Sequence, residues 1–154
     1  MKEPLTIFID GACSGNPGPA GVGVVIKDKD KVLKEISEAI GEATNNIAEY
    51  TALKYALKEA AHFKRDVLRI YTDSELLARQ VTGQYKIKNE KLSVLFQEVS
   101  QLSLKFKTVE IKNIPREENK EADRLATQAI KTKQGKMVAP TFKYVGEESP
   151  SSKG

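Results

Sequence analysis

A chain of 154 residues, 40% hydrophobic and 30% charged, has room for one domain with a real core and too little for two comfortable ones. Its net charge of +4 and pI of about 9.0 are compatible with nucleic acid without demanding it. A single cysteine, Cys13, and a single histidine, His62, exclude an internal disulfide and any metal centre built on cysteines or several histidines, while MKEPLTIF lacks the apolar stretch of a signal peptide and no run approaches the ~20 apolar residues of a membrane helix, so a cytoplasmic protein is expected.

Residues 5–12 read as a strand, and SGNPGP after them as a turn. Residues 20–27 and 32–40 read as two more strands joined by a charged turn, which together suggest an antiparallel meander. From Asn46 to about Phe63 the residues are strong helix formers without Gly or Pro. DVLRIYTD, Asp66 to Asp73, is a short apolar strand, and SELLARQVTG a short helix stopped at Gly83. Residues 90–102 look helical, 106–112 alternate as a strand, and NIPREEN is a loop. Asn119 to about Lys131 is a helix with Ala122, Leu125, Ala126, Ala129 and Ile130 on its apolar stripe. MVAPTFKYV could add an extended segment, and GEESPSSKG reads as a loose tail. A meander followed by alternating helices and strands implies a mixed sheet whose later strands lie parallel, with chemistry collecting at strand ends.

Four acids stand where acids are costly. Asp10 closes a run in which Leu5, Ile7 and Ile9 point one way and Thr6, Phe8 and Asp10 the other. The glycines after it do not fit GxGxxG, so a dinucleotide loop is a poor explanation. Glu49 aligns with Leu53, Ala56, Leu57 and Ala60 on the core stripe of its helix, Asp73 ends the strand VLRIYT, and Asp123 aligns with Ala126 and Ile130. Three of them have plainer roles open: Glu49 can close a capping box with Asn46, Asp73 can cap the helix after it, and Asp123 suits a helix dipole. Asp10 has none, because no helix follows it. If the four converge, carboxylates about 4 Å apart repel by about 4 kcal/mol per pair at an effective dielectric near 20. A fold tolerates that with bound cations or raised pKa values. All-oxygen ligation suits Mg2+ or Mn2+, and two such ions can drive phosphodiester hydrolysis.

IDGACSGNPGPAG, TNNIAEYTAL, IYTDSELL and ENKEADRLA, in this order and spacing, resemble type 1 ribonuclease H from about residue 4 to residue 131. The resemblance implies an α/β, ribonuclease H-like fold: a five-stranded mixed sheet, three antiparallel strands then two parallel, with helices on both faces. The catalytic domain would occupy residues 1–133, and residues 134–154 a C-terminal tail, partly extended or disordered. The implied activity is endonucleolytic hydrolysis of the RNA strand of RNA–DNA hybrids, and of other RNA-containing duplexes, leaving 5′-phosphate and 3′-hydroxyl ends. The implied cofactor is Mg2+ or Mn2+, two ions per active site, in a monomer without a membrane partner. Asp10, Glu49, Asp73 and Asp123 become the catalytic, metal-binding acids, with Asp10 shared by both ions and Glu49 also meeting the 2′-hydroxyl beside the scissile phosphate. Asn16, Asn45 and Asn46 become substrate-binding residues that read RNA, and Thr44 and Asn89 the pocket for a DNA-strand phosphate, with Arg79, Lys86, Lys88 and Lys91 nearby. Plainer roles stay open for these too: a turn residue at Asn16, caps at Asn45 and Asn46, and a solvated basic face for the lysines.

The chain departs from that pattern in two places. Many members carry a histidine in the loop before the last acid, whereas NIPREENKEAD has none, which leaves Arg116 or Glu117 to take its place. There is also no Trp, so the Trp-rich basic protrusion of some bacterial members is missing. The departures keep open a non-catalytic or weakly active hybrid-binding module of the same fold. A related nuclease, transposase or integrase domain acting on DNA is a further alternative, against which the three asparagines argue.

Overall fold

The computed structural model describes residues 3–138, with side chains through Lys131. Five strands form one sheet: β1 (Leu5–Cys13), β2 (Gly18–Asp28), β3 (Lys31–Ala43), β4 (Val67–Thr72) and β5 (Thr108–Asn113), in the order β3-β2-β1-β4-β5. β1 to β3 form the expected meander, and β4 and β5 join β1 in parallel register. Four helices cover it: α1 (Asn45–Ala60), α2 (Glu75–Val81), α3 (Glu90–Ser103) and α4 (Lys120–Val138). The expected architecture is therefore observed, with wider strands than the sequence suggested at β2 and β3. The long helix closes at Ala60 and passes into one 3-10 turn, Ala61–Phe63, ended by Lys64 in a left-handed conformation. Residues 134–138, assigned to the tail on sequence, continue α4, and the rest of that tail lies outside the described residues.

Period-two patterning explains the two layers. Leu5, Ile7 and Ile9 of β1, with Val22, Val24 and Ile26 of β2, are fully buried in one core with Leu53, Ala56 and Leu57 of α1. Each such side chain contributes roughly 1.5–3 kcal/mol of burial, so the register that puts them inward is strongly favoured. The alternate residues of β2 face α4, which packs so closely that a Cβ on Gly23 would overlap the Ala122 carbonyl oxygen. Helices thus lie on both faces, α1 on one and α4 on the other, and the site is built between them. Among the described residues no helix is long and apolar enough to cross a membrane.

Candidate active site

Asp10 stands where the parallel part of the sheet stops. The β1–β4 ladder runs from Leu5–Leu68 to Ile9–Thr72, and the next residue on each strand is an acid, Asp10 on one and Asp73 on the other. On its other side Asp10 pairs with Gly23 of β2. Because Gly23 lacks a side chain, α4 can press its first turns onto the sheet there, and Asp123 arrives in the cleft that Asp10 lines, where its carboxyl helps to raise that of Asp10. Gly11 does the same for the opposite layer: a Cβ there would overlap the main chain at Ala48, and its amide instead donates to Glu49 Oε1 at 3.0 Å. Two bare backbone positions flanking Asp10 in space bring an acid from each helix layer onto one strand end.

The carboxylate oxygens of Asp10, Glu49 and Asp73 lie within 4.8 Å of one another. Asp10 is 5% exposed and the other three acids are half-buried. Burial, and after it the charges of Glu49 and Asp73, push the Asp10 carboxyl from 3.8 up to about 9. Burial and then Asp73 push Glu49 from 4.5 up to about 8, against the pull of the Gly11 amide and the Arg116 guanidinium. Such a group is expensive with only protons to relieve it. It fits a hard divalent cation, since every donor is oxygen and the one nearby thiol, Cys13, is occupied by a hydrogen bond to Ala43 O at 2.9 Å.

The plainer roles of Glu49 and Asp73 do not survive, while Asp123 keeps a first-turn place in α4 that also suits the helix dipole. The N-cap of α1 is Thr44, whose Oγ1 accepts from Ile47 N at 3.2 Å, so Asn46 and Glu49 form no capping box and Glu49 sits one turn into the helix. Ser74, not Asp73, caps α2, accepting from Leu77 N at 3.1 Å. Both acids are left facing the cleft.

That cleft has a volume of about 590 Å³ and is walled by the four acids together with Asn45, Arg116, Thr127 and Lys131, among others. Arg116 therefore reaches the site, whereas Glu117 lines a separate shallow pocket beside Phe8. Thr127 and Lys131 went unnoticed in the sequence, although they fall four and eight residues beyond Asp123 on the same stripe of α4. A second cavity, about 660 Å³, collects Asn16, Thr44, Asn45, Asn46 and Asn89, with Lys91 beside them. Asn45 belongs to both cavities. Asn16 Oδ1 accepts from Asn45 N at 3.0 Å, so the turn after β1 is tied to the start of α1. Thr44 and Asn89 each spend their oxygen on a helix cap, Asn89 Oδ1 accepting from Leu92 N at 3.1 Å. Lys86 and Lys88 are not among the lining residues, nor is Arg79, which pairs with Glu75 at 2.8 Å. His62 is exposed and 3.5 Å from Glu59, in the 3-10 turn past the end of α1, away from the acids.

Comparison with known proteins agrees with this geometry. The family model described as "Reverse transcriptase-like" matches residues 8–129. The bifunctional protein Rv2228c of Mycobacterium tuberculosis is 37% identical, over 97% of this chain and 42% of its own length. Ribonuclease HI of Halobacterium salinarum is 40% identical, over 80% of this chain and 62% of its own. The chain thus spans less than two thirds of these curated relatives. Among solved structures, LC11-RNase H1 in complex with an RNA/DNA hybrid superposes with a TM-score of 0.81 at 40% identity, covering 84% of this chain and 99% of that one.

Proposed function

This chain belongs to the ribonuclease H family, and from that premise we propose that it hydrolyses the RNA strand of RNA–DNA hybrids, using two divalent cations, Mg2+ or Mn2+, and leaving 5′-phosphate and 3′-hydroxyl ends. The observation that carries the proposal is the buried group of carboxylates, whose mutual repulsion only a cation or protons can relieve. When bound, the ions supply Lewis-acid activation of a water and neutralise charge on the departing oxygen. Asp10, Glu49 and Asp73 would hold them, with Asp123 beside Asp10.

Other residues bind and orient. Asn45 and Asn46 are exposed at the first turn of α1, and Asn16 is tied to Asn45; their amides both donate and accept, which suits 2′-hydroxyls and base edges in a shallow minor groove. Asn45, shared by the two cavities, keeps the recognised strand in line with the acids. Lys91 offers a positive group, and the Asn89 amide nitrogen a neutral hydrogen-bond donor, to a phosphate of the other strand. Arg116 draws phosphate into a cleft otherwise dominated by negative charge. A guanidinium does not release its proton near neutrality, so Arg116 binds phosphate without serving as the acid for the departing 3′ oxygen.

Incubating the protein with labelled RNA–DNA hybrid, duplex RNA and duplex DNA, with Mg2+, Mn2+ or EDTA, tests the reading. Metal-dependent loss of the hybrid's RNA strand is the expected result. Hybrid binding without cleavage in either metal would replace it with a binding module, and cuts in duplex DNA with a DNA nuclease.

A further inference from the structure

Asn119 is 1% exposed, in the loop-to-helix junction just ahead of α4. Its Nδ2 donates to the carbonyl of Ile9 at 2.8 Å and to Asp73 Oδ2 at 3.3 Å. Its own carbonyl accepts from the amide of Asp123 at 3.1 Å. Its Oδ1 is buried without a hydrogen-bond partner among the described residues. An asparagine serving as an ordinary cap would turn that oxygen onto the second or third amide of the helix. Here the side chain turns the opposite way, toward the sheet, and leaves the oxygen unfilled, which is costly for a buried acceptor.

Those contacts reach three of the four acids. Ile9 is the residue before Asp10, Asp73 is touched directly, and Asp123 is held by its main chain. We propose that Asn119 is a positioning residue, a buried clamp that holds the ends of β1 and β4 and the start of α4 in register so that the acids stand grouped before any cation arrives. The clamp opposes the repulsion among the carboxylates, which would otherwise swing the half-buried Asp73 outward. This rests on the cation-holding role proposed above for the acids.

Asn119→Ala removes the clamp, and Asn119→Ser keeps a shorter donor in its place. Titrating Mn2+ calorimetrically into the protein without nucleic acid should show affinity ~10–100-fold lower in Asn119→Ala, the range typical of lost outer partners of metal ligands. Asn119→Ser should lose less. With hybrid present, kcat should fall while KM stays within about twofold, because the asparagine groove is untouched; a role confined to stability would move neither ratio. Parent-like Mn2+ affinity in a folded Asn119→Ala overturns the clamp. If that variant does not fold, parent-like affinity in Asn119→Ser overturns it instead. A crystal structure of either variant with Asp73 still grouped with Asp10 and Glu49 overturns it independently of metal. Failure of the parent to cleave hybrid would sink the proposed activity and leave the Mn2+ titration and the crystal structure able to judge Asn119.

Discussion

Two cavities meet at Asn45, and they are made of different material. The acid cleft draws its four acids from β1, α1, the end of β4 and α4, with Asp10 and Asp123 more than a hundred residues apart, and holds these acids half-buried or deeper. The asparagine groove is built from a turn, the first turn of α1 and the first turn of α3, with its four asparagines exposed and two of its five predicted residues already occupied as caps. Positions in the cleft are dictated by main-chain approach at Gly11 and Gly23 and by the end of a parallel ladder. Positions in the groove are dictated by where helices begin. On the proposed function, chemistry would be placed in the rigid, repulsive part of the fold, and recognition in the part that changes at little cost to stability.

Replacing a cleft acid should therefore separate activity from stability most sharply. Asp10→Asn keeps shape and removes the central charge. Hybrid cleavage should fall on the order of 10³-fold or more, about 4 kcal/mol of transition-state stabilisation. Thermal unfolding without metal should move the other way, with a gain of about 1–4 kcal/mol as repulsion is relieved. Parent-like turnover in that variant, or a loss of metal-free stability, would break the contrast drawn between cleft and groove.

Next in size is the backbone approach itself. Gly11→Ala puts a methyl into the main chain at Ala48, so α1 must retreat. Overpacking of that kind costs about 1–3 kcal/mol, and Glu49 loses its amide partner as α1 withdraws. Both Tm and kcat should drop, with Asn45-dependent hybrid affinity falling too because Asn45 rides on the same helix. A Gly11→Ala protein with parent Tm and parent turnover would show that the approach does not position Glu49.

The same contrast explains what was readable in the sequence. Strand alternation and the helix stripes gave the sheet and its coverings, because Leu5, Ile7, Ile9 and their partners encode one inward register. The acids stood out because each breaks an apolar pattern. Their convergence was not readable, since it depends on the Asp10–Gly23 pairing and on α4 settling against a residue without a side chain. Asn119 was invisible for a related reason: an asparagine before a helix looks like a cap, and only coordinates show its oxygen facing no amide. Helix starts misled by a residue or two, Thr44 and Ser74 taking the caps that suited Asn46 and Asp73 equally well on spacing alone.

A smaller effect follows from protons. Asp10 and Glu49 hold protons in the folded, metal-free protein at pH values where the unfolded chain has released them, being raised from 3.8 to about 9 and from 4.5 to about 8. Between those limits the native state binds more protons, so its stability falls as pH rises. Without metal, Tm should decline from about pH 4 to about pH 9, by about 2–8 °C for each kcal/mol lost. Mg2+ or Mn2+ should flatten the slope by relieving the same repulsion, adding about 2.7 kcal/mol at a hundredfold excess over Kd. A metal-free Tm that climbs over that range, or one that cations leave unchanged at pH 8, would contradict the packing of charge described for the cleft.

The smallest expected effect belongs to the groove. Asn45 is exposed and its main-chain amide, not its side chain, makes the bond to Asn16. Asn45→Ala therefore removes only what the side chain offers to a ligand. Unfolding free energy should stay within about 0.5 kcal/mol of the parent, as for surface changes that break no structural contact. Mn2+ affinity measured without nucleic acid should not move. Hybrid KM should rise roughly tenfold, the loss of one or two hydrogen bonds at about 1 kcal/mol each. The loss should be larger for a hybrid than for the same sequence with a 2′-deoxy residue at the contacted position, because that substitution has already removed the partner group. Equal losses on both would mean that Asn45 holds the backbone rather than reading the 2′-hydroxyl, and the separation of reading from reacting would then have to be moved along the groove toward Asn16 and Asn46.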